Sequence, residues 1–276
     1  MKRIAIVGLG LIGGSLGLGA RRLGIRVMGI DFERTLLGER ARDCADDLVP
    51  AEDRAACRAA LAGVDLAVLA VPVSVILGEL GGVLGLCDTV TDCGSTKREI
   101  ASAADRSPRR RRFVPGHPMA GAPEGSLTHA RADLFEGRPW ILCPEGRDRD
   151  AVGRVEELVR AVGAQPLAVS AERHDRLVAL ASHVPQLVAS AMAALGAEWG
   201  AEGVAGPAYD GITRTAGGDP GMWQDIFATN ADQVAEALGE LAEALAEVAR
   251  ALGHTPTDIG PAMSLLERAR RGRRPG

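Results

Sequence analysis

His117 stands in the run Gly116-His117-Pro118-Met119-Ala120-Gly121, a short apolar stretch bracketed by glycines that carries a single imidazole. A neutral imidazole can accept a proton or a hydrogen bond near pH 7, the behaviour of a general base. Three other segments pair a polar or charged group with a backbone irregularity. Asp92-Cys93-Gly94-Ser95-Thr96-Lys97 follows an aliphatic run, Ser182-His183-Val184-Pro185-Gln186 interrupts a helical pattern, and Thr213-Arg214 precedes Asp219-Pro220-Gly221-Met222-Trp223. Together they offer a hydroxyl, a second imidazole, a planar guanidinium suited to a carboxylate, and an indole.

The chain also opens on a phosphate-binding pattern. Gly8-x-Gly10-x-x-Gly13 follows the aliphatic run 3–7 and begins a helical segment. In that context the first glycine allows the turn, the second admits a pyrophosphate to the backbone, and the third lets helix and strand pack closely. Asp31 ends the next apolar run, 23 residues after Gly8. There a carboxylate can accept hydrogen bonds from ribose hydroxyls and repel a 2′-phosphate, which favours NAD over NADP. Arg34 nearby softens that preference. The cofactor set is Gly8, Gly10, Leu11, Ile12, Gly13, Asp31 and Val71; the plain alternative is a glycine-rich turn with an incidental acid.

These groups need a scaffold, and the pattern supplies one. Strands are predicted at 3–7, 25–30, 66–71, 88–92, 112–115, 140–143 and 165–169, with helices between them at 15–23, 34–45 and 148–162. Strands alternating with helices imply an α/β domain, a Rossmann-type, mostly parallel sheet covered on both faces. After residue 168 the pattern is helical, at 172–196 and 224–252, so the division expected is 1–168 for dinucleotide binding and 169–276 for an all-helical dimerisation domain. Val234, Leu238, Leu241, Leu245, Val248 and Leu252 recur at steps of three or four, a stripe that wants another helix, in this chain or in a second subunit.

Composition narrows the partners. Hydrophobic residues make up 46% and charged residues 25% of the 276, and the net charge of −4 gives no reason to expect nucleic acid or an anionic membrane. The basic clusters 109–112 and 268–274 lack interleaved aromatics and read as solvated surface. No stretch reaches 18 consecutive apolar residues. Five cysteines with no Cys-x-x-Cys pair and no zinc spacing read as reduced thiols in a cytoplasmic protein, with no metal site.

Taken in order, the glycine fingerprint, Asp-x-x-Ser-x-Lys, Gly-His-Pro-Met-Ala-Gly, the segment from Ala132 to Trp140, Ser-His-x-Pro and Thr-Arg with a downstream Trp resemble the prephenate and arogenate dehydrogenases, the cyclohexadienyl dehydrogenases of tyrosine biosynthesis. The resemblance runs from residue 1 to about 255 and leaves no room for a fused mutase or regulatory domain. It implies an oxidative decarboxylation in which hydride leaves C4 of a cyclohexadienol for the nicotinamide of NAD, CO2 leaves C1, and aromatisation drives the reaction.

On that resemblance His117 is the catalytic base toward the 4-hydroxyl and Ser95 orients the histidine and the hydroxyl, against a plain strand-end cap for Ser95. Arg214 anchors a substrate carboxylate or pairs with an acid between domains. His183 lines the pocket or serves a helix kink beside Pro185, and Trp223 belongs to the pocket wall or to a subunit interface. Lys97 stabilises its loop.

Two departures bear on the substrate. After Gly121, where many relatives read Ser-Glu or Thr-Glu, this chain reads Ala122-Pro123-Glu124, and Gly211 stands where relatives place Asp before the arginine. Prephenate, arogenate, whose amine would welcome Glu124, and an analogue such as 4-amino-4-deoxyprephenate all stay open. A hydroxyacid dehydrogenase or imine reductase would want a lysine in the helical half, which has none. A non-enzymatic NAD sensor would not need His117, Ser95 and Arg214 together.

Overall fold

The computed structural model describes residues 1–121 and 125–272. Six strands form one parallel sheet: β1 (Arg3–Val7), β2 (Arg26–Asp31), β3 (Asp47–Pro50), β4 (Leu66–Leu69), β5 (Val90–Asp92) and β6 (Phe113–Val114). Their order is β3-β2-β1-β4-β5-β6, so the direction of winding reverses between β1 and β4. In open α/β sheets the crevice beyond the carboxyl ends at such a reversal is where ligands bind.

Between the strands run α1 (Leu11–Arg22), α2 (Glu33–Leu36), α3 (Glu39–Cys44), α4 (Arg54–Leu61), α5 (Val73–Leu86) and α6 (Arg98–Asp105). Ile4 and Ile6 pack on one face with Leu16, Val27, Leu66 and Phe135, while Ala5 turns to the other with Leu69, Ile76, Leu80 and Phe113. Burial on both faces explains why these strands read as aliphatic runs rather than alternating ones.

Pro115 ends β6, and the chain passes into a three-stranded sheet of β7 (Gly116–Pro118), β8 (Pro139–Leu142) and β9 (Gln165–Ala168), with α7 (Arg149–Ala161) before β9. β7 pairs antiparallel with β8, placing His117 opposite Ile141. From Ala171 onward the structure is helical: α8 (Ala171–Val178), a π turn (Ala179–His183), α9 (Val184–Trp199), α10 (Pro207–Thr213), α11 (Pro220–Thr229), α12 (Ala231–Leu252) and α13 (Gly260–Gly272).

Several boundaries differ from the sequence reading, each for a local reason. The first helix begins at Leu11, four residues before the predicted start, because Gly10 in extended conformation releases the chain straight into helix. The segment 34–45 divides at Gly38, and 224–252 divides at Asn230. The run 172–196 contains the π turn, since Pro185 has no N–H for the carbonyl one turn back. Length and composition alone would let Ala171–Trp199 cross a membrane, at 29 residues with a window of mean hydropathy 1.5; here Ala179 and Val184 pack on Val234 of α12.

Candidate active site

The glycine turn lies at the carboxyl end of β1. Gly8 has φ +96°, and a Cβ there would stand 2.3 Å from the Ala70 carbonyl and 2.7 Å from a Val71 methyl. A Cβ on Gly13 would fall 1.8 Å from the Gly8 carbonyl. Bare backbone is therefore obligatory where α1 meets the turn, which leaves a cradle shaped for a diphosphate at a helix N-terminus. Asp31 closes the far side, its carboxylate accepting the N–H of Leu9 at 2.5 Å and of Phe32 at 2.6 Å, with lone pairs left for ribose hydroxyls. Arg34 stacks over the Phe32 ring at 5.4 Å beside it. The residues present thus suit a dinucleotide, whose diphosphate would displace the Gly125 carbonyl that accepts the Leu11 amide at 3.1 Å.

His117 is carried by β7 next to the end of β5. Its Nδ1 lies 2.9 Å from Nε2 of His174, whose Nδ1 lies 2.7 Å from an Asp175 oxygen. His174 and Asp175 are fully buried on α8. Asp175 also accepts the backbone N–H groups of Lys97 at 2.7 Å and Arg98 at 2.9 Å, capping α6. Burial alone would raise the Asp175 carboxyl, but the bonds from His174 and these amides hold it below the usual carboxylate range. An ionised carboxylate only accepts, so His174 donates from Nδ1 and offers Nε2 as acceptor. His117 then donates from Nδ1, and its Nε2 is left as a free lone pair.

Both imidazoles stay neutral. Burial, then the neighbouring His174, Lys97 and His183, push the His117 pKa well below 6.5. His174 is lowered by burial against the pull of Asp175. The chain Asp175–His174–His117 therefore fixes which nitrogen of His117 serves as base.

A second group joins this one through Asn230, whose side-chain amide is 2.9 Å from the Asp175 carbonyl and 3.3 Å from Nδ1 of His183. His183 is buried, its pKa lowered to about 4 by burial. The Trp223 ring stands edge-on to it at 5.9 Å and stacks on Phe227 at 5.4 Å. His183 Nε2 and Trp223 Nε1 are both buried without a hydrogen-bond partner among the described residues. Arg98 ties the helical part to the sheet, bonded to Asp175, Asp232 and Asn230, while Asp225 accepts from Ser74 at 2.7 Å and Thr96 meets Thr229 at 2.8 Å.

The structure thus brings His117 together with the Asp92–Lys97 loop, and His183 together with Trp223. Ser95 makes no side-chain hydrogen bond among the described residues, where His174 holds His117 instead. Arg214 ends α10 exposed, with no ion pair among the described residues. Glu124 lies outside them. Sequence reasoning missed His174, Asp175 and Asn230; the one available signal was a His-Asp pair in a chain with five histidines.

Comparisons with known proteins agree with this architecture. Residues 16–167 match the family "Prephenate dehydrogenase, nucleotide-binding domain" and residues 170–264 match "Prephenate dehydrogenase, dimerization domain". A prephenate dehydrogenase of Bacillus subtilis is 33% identical over 259 residues, covering 86% of this chain and 66% of its own length. The probable prephenate dehydrogenase NovF of Streptomyces niveus is 34% identical, covering 86% and 65%. The chain therefore spans about two thirds of the length of these relatives. The crystal structure of prephenate dehydrogenase from A. aeolicus in complex with hydroxyphenyl propionate and NAD+ has the same fold, with a TM-score of 0.83, 24% identity, and coverage of 98% of this chain and 96% of that one. The chain belongs to the prephenate dehydrogenase family.

Proposed function

We propose that this protein is an NAD-dependent oxidoreductase that converts prephenate to 4-hydroxyphenylpyruvate and CO2, with arogenate as the alternative substrate to be tested beside it. The observation that carries the reading is the directed chain from Asp175 through His174, which leaves Nε2 of a neutral His117 as a hydrogen-bond acceptor in the middle of β7.

In this reading the amides of the first turn of α1 hold the diphosphate, Asp31 the ribose, and Val71 the wall of the crevice. Bound NAD supplies the hydride acceptor. His117 Nε2 takes the proton of the substrate's 4-hydroxyl as hydride leaves C4, and returns it to the same oxygen once loss of CO2 from C1 has made the ring aromatic. Ser95 on the neighbouring loop steers the hydroxyl. Arg214, His183 and Trp223 receive the carboxylate end of the substrate, the last two through N–H groups that have no partner among the described residues. A specialised analogue such as 4-amino-4-deoxyprephenate is less favoured, because the Bacillus subtilis and Streptomyces niveus relatives carry prephenate in their names.

We further propose the division at residues 168/169 and a homodimer, in which a second copy covers the apolar faces of the helical part. Five free thiols fit a reducing compartment.

The test is His117→Asn, assayed as NADH formation with prephenate and with arogenate. Turnover falls by about 100-fold or more, the scale of a lost general base, while NADH binding is retained. Unchanged turnover would remove His117, and with it this reading.

A further inference from the structure

Behind His117 lies a charged pair that the proposed reaction does not use. Lys97 and Asp92 are both 0% exposed, and the lysine ammonium bonds the Asp92 carboxylate directly. Burying two charges is costly, so each must find further partners or a task. Asp92 finds its partners in the backbone. One oxygen accepts the N–H of Gly116 at 3.0 Å, the residue before His117; the other accepts the N–H of Gly94 at 2.8 Å, the residue before Ser95.

Neither glycine could carry a side chain. A Cβ on Gly116 would stand 2.8 Å from the Asp92 carbonyl and 2.9 Å from the Thr91 hydroxyl. A Cβ on Gly94 would stand 2.9 Å from the Asp92 carboxylate and 2.8 Å from Ile100. The two chain segments are drawn against a single carboxylate as closely as backbone allows.

We propose that the Asp92–Lys97 pair is a positioning device for the two residues assigned to catalysis: its carboxylate fixes His117 and Ser95 relative to each other, and its ammonium acts through space on the His117 imidazole. The proposal rests on the reading of His117 as the base. Among the described residues, the groups facing His117 are His174 and Asp175 from α8, His183 from the π turn, and Lys97 with Asp92 from the end of β5. Arg98 is spent on Asp175 and Asp232. Lys97 is the cation among them, and with its charge in place the imidazolium is disfavoured, so His117 stays ready to accept at lower pH.

The test uses the full chain with Lys97→Met, Lys97→Arg and Asp92→Asn. The imidazole of His117 is titrated by NMR, assigned by its absence in His117→Asn, and kcat/KM is followed against pH with NADH binding as the check on folding. In Lys97→Met the His117 titration and the acid limb of kcat/KM both move up by about one pH unit. Lys97→Arg, which keeps the charge, restores both toward the parent values. In Asp92→Asn one of the two amides loses its acceptor, and kcat falls at least ten-fold with the KM for NAD unchanged.

A His117 titration that stays put in Lys97→Met overturns the electrostatic half. A full kcat in Asp92→Asn overturns the positioning half. If Lys97→Met does not fold, Asp92→Asn still decides the positioning half through kcat, and Lys97→Arg, which keeps the charge, decides the electrostatic half by leaving the His117 titration at the parent value or moving it. Failure of the catalytic reading shows separately, as turnover surviving in His117→Asn.

Discussion

The six-stranded half and the helical half of this chain bury their apolar residues to very different extents. In α1, eight of twelve residues are buried, and every residue of β4 is. In α12, Val234 and Ala251 are the buried residues among 22, and α13 has none. Leu180, Leu195, Trp199, Leu245 and Ile259 stand open. The first half closes its own core, whereas the second offers faces that something else must cover. The histidine chain lies where the two meet, its base on β7 and its buried carboxylate on α8. The sheet side therefore supplies a rigid frame, and the helical side supplies the groups that set protonation.

The largest effect tests the frame. Gly13→Ala puts a methyl 1.8 Å from the Gly8 carbonyl, a contact of backbone with backbone in which neither part can move aside. A loss on the order of 4 kcal/mol is expected, the range of exceptional substitutions, together with loss of NADH binding by fluorescence titration. Gly239→Ala in the middle of α12, where a Cβ meets nothing within 4 Å, is expected to be neutral or slightly stabilising. Equal effects at the two sites would erase the distinction between the halves.

The seam is tested next, by acid. His183 is buried and neutral, with a folded pKa of about 4 against an ordinary 6.5. The unfolded chain binds a proton at this site first, so stability is complete above about 6.5, falls as the pH drops toward 4, and levels off below it. The loss across that window amounts to about 3 kcal/mol. Chemical denaturation at pH 7, 5.5 and 4.5 measures it as the difference in slope between the parent and His183→Gln, since His117 and His174, also lowered by burial, add to the slope of both. Hydrogen exchange at pH 5 should open α8 and α9 before β1 and β4. Simultaneous opening would show the halves to be one cooperative unit.

Legibility followed the same divide. Residues 3–7 and 66–69 announce themselves as strands because a central parallel strand is buried on both sides and reads as a continuous aliphatic run. β3 was not visible, being a short edge strand of Asp47, Leu48, Val49 and Pro50 with no aliphatic run. Gly116–Pro118 lies outside the predicted strands, since glycine and proline are poor strand formers, yet the segment is held by pairing with β8 and by Asp92. His117, His183 and the glycine turn could be picked out because each sits in an unusual local pattern. His174 could not: it lies in an ordinary helical segment 57 residues from His117, and only folding brings their rings together. Asn230 breaks 224–252 into two helices without proline or glycine, through side-chain bonds to Asp175 and His183 that no local pattern encodes.

The smallest effect concerns what covers the helical half. Leu238, Leu245 and Leu252 follow one another at intervals of seven along α12 and are 36%, 52% and 46% exposed, so they form one line, while Glu236, Glu240, Glu243 and Glu247, each two residues from a leucine, fall on the opposite face. An apolar line backed by an acidic face suits a second copy meeting it leucine against leucine. Leu245→Glu at the middle of that line should weaken self-association about ten-fold, seen as a larger monomer share on sizing at low micromolar concentration. Leu37, 80% exposed beside the sheet, is the control. Leu37→Glu should leave the elution unchanged, because a single exposed leucine on a closed core needs no partner. If both variants elute like the parent chain, the open leucines of α12 are no more an interface than Leu37 is, and the contrast between the halves is one of packing alone.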